Sequence, residues 1–219
     1  MLASPAMNAE RNDQAPARRT QRERRQLSHS RMLAAAAELI ARQGSSRTTL
    51  SQIGETSGYT HGLVSHRFGS KGKLITTLVR QLQRRFAQSL LPVLGEKSGI
   101  EALKLTCEKY LRAATSVDRM AIYVLIGEAL GPVPEIKPDL ADADDYFRRS
   151  LQHLIEEGIR AGEIRSHVDP AAQAAILVAT MRGLAIQNLL RPGAFDLEAV
   201  CSELNSSLEL TLAQKRKRA

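Results

Sequence analysis

The sequence predicts an all-α protein in two parts, a small N-terminal unit of three helices and a larger C-terminal helical domain, on three observations. Apolar residues recur with a 3.6-residue rhythm in each long segment, and nowhere does the period-two alternation of a half-buried strand persist. Glycines, prolines and small capping residues cut that rhythm at intervals suited to helices. The charge is also divided: residues 1–85 carry fifteen Lys and Arg against five Asp and Glu, whereas residues 86–214 carry twelve against eighteen. A chain of 219 residues, 43% hydrophobic and 25% charged, buries a sizeable core, which excludes wholesale disorder.

Taken in order, residues 1–25 mix prolines, asparagines and repeated arginines without periodicity and read as a disordered basic arm. From Leu27, the residues Met32, Leu33, Ala36, Ala37, Leu39 and Ile40 keep helical spacing until Gly44, which stands where a C-cap belongs. Thr49 and Gln52 fit a capping box that opens a short second helix, closed by Gly58. Thr60 caps a third helix carrying Leu63, Val64 and Phe68 inward, and Ser70, after Gly69, caps a fourth that takes in Leu74, Leu78, Leu82, Phe86 and Leu90 before Pro92 stops it. The three-helix unit therefore spans residues 26–72 and the larger domain residues 73–214, with a basic tail at 215–219. In the larger domain, helices are expected from Ile100 to about Val117, from Met120 to Leu130 and, after a proline-punctuated loop, from about Leu140 to Gly162. Asp169 before Pro170 launches a helix to about Leu190, and Asp196 caps a last one carrying Val200, Leu204, Leu208 and Leu212.

Two short helices joined at Gly58 have the shape of a helix-turn-helix, which presents its second helix to the major groove of B-DNA. Ile53, Tyr59, Leu63, Val64 and Phe68 are the expected inner face, with Gly54 letting the two helices approach. The outer face then holds Thr60, His61, Gly62, Ser65, His66 and Arg67, suited to base edges and phosphates. Thr49 joins these as a candidate contact at the second helix's start, and Lys71 and Lys73 follow where a helix N-terminus already favours a phosphate.

The stretch RMLAAAAELIARQGSSRTTLSQIGETSGYTHGLVSHRFGSKGKL, from Arg31 to Leu74 and about a fifth of the chain, resembles the DNA-binding domain of the TetR family of bacterial transcriptional regulators. The matching features are the alanine-rich helix ending in Gly44, the Thr48-Thr49 cap, Ile53, Gly58, Gly62, Phe68 and the Ser70-Lys71 junction. The family usually has alanine where this chain has Gly54 and a phosphate-touching tyrosine where it has Ser65. The resemblance implies that Lys71 contacts a phosphate and that residues from about 86 onward bind an inducer and form a homodimer. It also implies a regulator, usually a repressor, that sits on a palindromic double-stranded DNA operator.

For a small-molecule effector, the candidate lining residues are Phe86, Leu90, Leu103, Cys107, Tyr110, Ile122, Tyr123, Ile126, Phe147, Leu151, Met181, Gln187 and Asn188. Glu128, between Gly127 and Ala129, either orients a polar ligand group or is exposed. Small and apolar residues at helical spacing, namely Ala175, Val178, Ala179 and Ile186, then Leu204 and Leu208, are the candidate dimerisation face.

Catalysis finds no support: no GxSxG, HExxH, Walker or GxGxxG pattern stands in its structural context, and no cofactor is implied. No metal site is expected either. His61 and His66 diverge around a helix, and His153 with Glu157 reads as a solvated helix face. Cys107 and Cys201 lack metal or disulfide spacing and read as reduced packing residues. No signal segment or membrane span is legible, so the expected location is the cytoplasm. The alternative, a basic peripheral membrane or RNA-binding protein, lacks a wide cationic amphipathic helix and exposed stacking aromatics.

Overall fold

A computed structural model describes residues 20–214, so most of the expected arm and the 215–219 tail lie outside the described residues. Among the described residues the chain forms nine α-helices: α1 Gln21–Gln43, α2 Leu50–Ser57, α3 His61–Phe68, α4 Lys71–Leu94, α5 Gly99–Arg112, α6 Val117–Ala129, α7 Lys137–Arg160, α8 Pro170–Leu190 and α9 Leu197–Leu212. The predicted caps at Thr49, Thr60, Ser70, Asp169 and Asp196 all accept backbone N–H groups as expected.

Several boundaries differ from expectation. Helix α1 starts at Gln21 rather than Leu27, because Thr20 and Glu23 form a second capping box, with the Thr20 N–H 2.8 Å from Glu23 Oε2. That first turn is exposed on all sides, so it carries no apolar rhythm to reveal it. Pro92 does not stop α4 but sits in its last turn, where little helix remains to be disrupted, and Gly95 caps the end. Helix α5 ends at Arg112, ahead of the expected Val117, since Ser116 caps α6 and starts it at Val117 instead of Met120. A 3-10 turn at Pro134–Ile136 runs into α7, which begins at Lys137 instead of Leu140.

Two apolar cores hold the chain. One gathers Met32, Leu33 and Ile40 of α1 with Ile53, Val64 and Phe68, and continues into Leu74, Leu78 and Leu82 of α4 and Ala121, Leu125 and Ala129 of α6. The expected division at residue 72 therefore cuts through a continuous core. The second core joins α5, α7, α8 and α9 around Leu103, Cys107, Leu151, Ile155 and Met181.

Gly54 fixes how closely α2 and α3 meet: a Cβ there would lie 2.9 Å from Tyr59 O and 3.0 Å from His61 N, both backbone atoms. Gly54→Val is therefore expected to force the turn apart at a cost of about 1–3 kcal/mol. A thermal melt checks this through a midpoint lower by about 2–4 °C per kcal/mol; an unchanged midpoint refutes the close approach.

Candidate nucleic-acid interface and effector cavity

The helix-turn-helix is built from local hydrogen bonds. Thr49 Oγ1 accepts the Gln52 N–H at 3.2 Å while Gln52 Oε1 accepts the Thr49 N–H at 2.9 Å. Gly58, at φ 78°, adopts the left-handed conformation that ends α2, and Thr60 Oγ1 accepts the Leu63 N–H at 3.3 Å to start α3. Val64 and Phe68 are buried, as expected, and the ring of His29 stacks on Phe68 with centroids 5.1 Å apart. Partial burial, and then the nearby Arg67 charge, hold the His29 pKa below its ordinary value.

Thr60, His61, Gly62 and His66 are exposed together on the outer face, and Ser65 is half-buried beside them. At Gly62 an added Cβ would meet only the Thr60 hydroxyl, at 4.0 Å, so nothing inside the protein requires a glycine. Glycine in a helix costs about 1 kcal/mol relative to alanine, and close approach by an external body is what would repay it. Lys73 stands exposed at the start of α4.

Two expected contacts are otherwise engaged. Arg67 Nη1 donates to the carbonyl of Arg25 at 3.1 Å, tying α3 to the first turns of α1 rather than pointing freely outward. Lys71 Nζ donates to Ser45 O at 2.9 Å and Ser46 O at 3.4 Å, holding the loop between α1 and α2. The same loop is held from the opposite side by Glu128, whose carboxylate accepts the Ser45 N–H at 2.9 Å and 3.1 Å and the Ser46 N–H at 3.4 Å. Glu128 is thus neither a ligand anchor nor idle. Its role spans 83 positions of sequence, which no local pattern signals. Sequence reasoning also missed that Arg22, Arg24 and Arg25 belong to the exposed first turns of α1 instead of lying in an arm.

A cavity of about 520 Å³ opens between α4, α5, α6 and α7, with Arg182 of α8 reaching it. Of the predicted lining, Phe86, Leu90, Tyr110, Ile122, Ile126, Phe147 and Leu151 surround it. The other expectations fail for distinct reasons. Leu103, Cys107 and Met181 are fully buried in the core behind the wall. Tyr123 is half-buried off the cavity with its hydroxyl 2.9 Å from that of Tyr110, and Gln187 and Asn188 lie beyond it near the end of α8. Burial, then Tyr110, raises the Tyr123 pKa, and burial pushes the Cys107 thiol up to about 12.

Phe86, Tyr110 and Phe147 meet as a trio, with centroids 5.6–5.8 Å apart. The guanidinium carbon of Arg119 lies 4.0 Å from the Phe86 ring centroid and 4.2 Å from that of Tyr110. Burial lowers the Arg119 pKa from its ordinary value. Arg119 was absent from the expected lining, although its spacing of three and seven positions from Ile122 and Ile126 puts it on the same face of α6.

The candidate dimerisation residues divide. Ala175, Ala179 and Ile186 are exposed on α8, but Val178 and Leu208 are buried within the chain's own core and Leu204 is half-buried against it. Because α8 is apolar on nearly every side, periodicity alone does not separate its inner from its outer face. The outer face also exposes Ile176 at 57% and Leu190 at 82%, and α9 exposes Leu210 at 76%.

Residues 32–78 match the family described as bacterial regulatory proteins of the tetR family, and residues 100–213 match the BetI-type transcriptional repressor C-terminal family. The HTH-type transcriptional regulator SrpR of Pseudomonas putida is 24% identical over 159 residues, which span 73% of this chain and 74% of that protein. A solved transcriptional regulator from Saccharomonospora viridis in complex with choline has a TM-score of 0.71 at 22% identity, covering 86% of this chain and 98% of its own. FadR from Bacillus subtilis in complex with stearoyl-CoA also has a TM-score of 0.71, at 20% identity, with 82% and 97% covered. At those identities the two structures show a shared fold alone. Because one family match falls on the capped N-terminal helices and the other on the body that encloses the cavity, the chain belongs to the TetR family of bacterial transcriptional regulators.

Proposed function

We propose that this ligand-responsive repressor binds a palindromic operator as a homodimer, and that an effector in the α4–α7 cavity changes the spacing of the two α3 helices through α6. One observation carries the reading: α6 lines the cavity with Arg119, Ile122 and Ile126, and its last turn holds the Ser45-Ser46 loop through Glu128. An effector that displaces α6 then has a short mechanical route to the helix-turn-helix. Effector and operator affinities are reciprocally coupled through it. The ligands carried by the two structural neighbours, choline and stearoyl-CoA, support a small molecule as the effector.

The outer face of α8, with Ile176, Ala179, Ile186 and Leu190, supports the homodimer, since an exposed apolar stripe of this kind favours a self-complementary two-fold contact. Two recognition helices roughly 34 Å apart enter successive major grooves on one side of the duplex. In this reading His61 and His66 read base edges, Thr49, Thr60 and Ser65 bond phosphates or bases, Gly62 admits the duplex, and Lys73 pairs with a phosphate. Arg67 and Lys71 act chiefly as positioning residues for α3 and the 45–46 loop. Family membership favours duplex DNA over the RNA or membrane alternative, and no helix among the described residues is long and apolar enough to cross a membrane.

Footprinting on the DNA beside the encoding gene supplies the operator for the tests. On it, His66→Ala is expected to cost about 1–3 kcal/mol of affinity with dimer mass unchanged in sedimentation; full affinity removes the recognition assignment. Lys73→Ala is expected to flatten the salt dependence by about 0.9 in log–log slope, whereas Lys71→Ala lowers the melting midpoint and leaves that slope in place. Fluorescence anisotropy across a salt series, beside thermal melts, separates the two lysines. Glu128→Ala leaves two loop amides without their carboxylate and is expected to weaken operator binding by about 1.5–3 kcal/mol. Unchanged operator affinity in that variant would break the proposed route through α6.

A further inference from the structure

The cavity holds a cation that lacks an anion. Of the other arginines that line it, Arg85 pairs with Asp118 at 3.4 Å and Arg182 pairs with Asp144, which also pairs with Arg148 at 3.2 Å. Among the described residues no carboxylate lies within ion-pair distance of Arg119, and its buried Nη2 has no hydrogen-bond acceptor. A guanidinium stays charged, and a buried N–H donor left unmade is costly. The faces of Phe86 and Tyr110 offset only part of that cost.

Building on the reading that the effector occupies this cavity, we propose that the effector is an amphipathic anion, with an oxyanion head such as a carboxylate bonded to Arg119 and an apolar body along Leu90, Ile122, Ile126 and Leu151. A carboxylate supplies the missing acceptor in the bidentate geometry that guanidinium favours. Lys109, also lining the cavity and half-exposed, adds a second positive charge. The remaining wall is mainly apolar and the volume of about 520 Å³ suits a small amphiphile. The same geometry disfavours a quaternary ammonium. The aromatic faces that would cradle one are already covered by Arg119, and the incoming cation would meet a like charge in a desolvated site. Arg119 stands nine positions before Glu128 on α6, about 13 Å along the axis, so a head group that pulls on Arg119 acts on the helix that holds the 45–46 loop.

The test is calorimetric titration of the full-length protein with decanoate, decan-1-ol, decyltrimethylammonium and choline, repeated on Arg119→Met and Arg119→Lys, with operator anisotropy alongside. The expected result is that decanoate binds about ten-fold or more tighter than the alcohol, that both ammonium compounds bind more weakly, and that Arg119→Met removes the preference while alcohol binding persists. Arg119→Lys retains part of it. Should the methionine variant fail to fold, the lysine variant and the head-group ranking on the native chain still decide. The proposal is overturned if the alcohol equals decanoate, if an ammonium binds tightest, or if none of the four binds. Decanoate binding in the expected order with no change in operator affinity leaves the anion site standing and removes the effector reading. Operator release by the alcohol or an ammonium instead keeps the effector reading and removes the anion site.

Discussion

Placement of the helix-turn-helix depends on how three residues of loop are held. The turn after α1 presents the amides of Ser45 and Ser46 to one side and their carbonyls to the other, and the protein meets the first with a carboxylate and the second with an ammonium. Gly44 makes the arrangement feasible twice over. Its φ of 83° favours glycine, and a Cβ there would stand 2.7 Å from Glu128 Oε1. Neither partner is part of the loop itself: Lys71 comes from the start of α4 and Glu128 from the end of α6, so the loop reports on both helices at once.

That electrostatic hold sits above an apolar one. Helix α1 packs on α6 as well as on α2, and the residues beneath the helix-turn-helix run without a break into α4 and α6. The cavity lies farther along those same two helices, where the small and aliphatic side chains of the core give way to aromatic rings and arginines. The candidate cavity and the helix-turn-helix therefore lie at two ends of shared helices. The second core, around α5, α7, α8 and α9, completes the other walls and carries the exposed face of α8.

Much of this was legible in the sequence because it is local. A capping hydroxyl, a glycine at positive φ and an aspartate before a first-turn proline each act within four residues, and the elements they mark fall where they were expected. The inner face of α3 was legible for the same reason, as three apolar positions on a short helix allow one orientation. What escaped notice acts over distance or lacks contrast. The first turn of α1 is wholly solvated, so only its capping box announces it. Val178 of α8 and Leu208 of α9 face the inside of the chain, and because α8 is apolar on nearly every side, tertiary packing and not pattern decides which of its residues do so. The partners of Lys71, Arg67 and Glu128 lie 26, 42 and 83 positions away, and long flexible side chains reach whichever carbonyl or amide the fold brings near. The cavity aromatics Phe86, Tyr110 and Phe147 were among the expected lining, whereas Arg119 fell one position before the helix expected from Met120 and so outside any face that could be read.

The continuity of the first core bears on how such a protein can be taken apart. Severing the chain after α4 would strip Ala121, Leu125 and Ala129 from the underside of the N-terminal helices and leave an oily scar where α6 had been. A chimera that grafts this DNA reader onto a foreign sensor would inherit that scar unless α6, with its terminal carboxylate, travels with it. A break between the third and fourth helices would cut through that shared core, whereas a graft that keeps the sixth helix would preserve it.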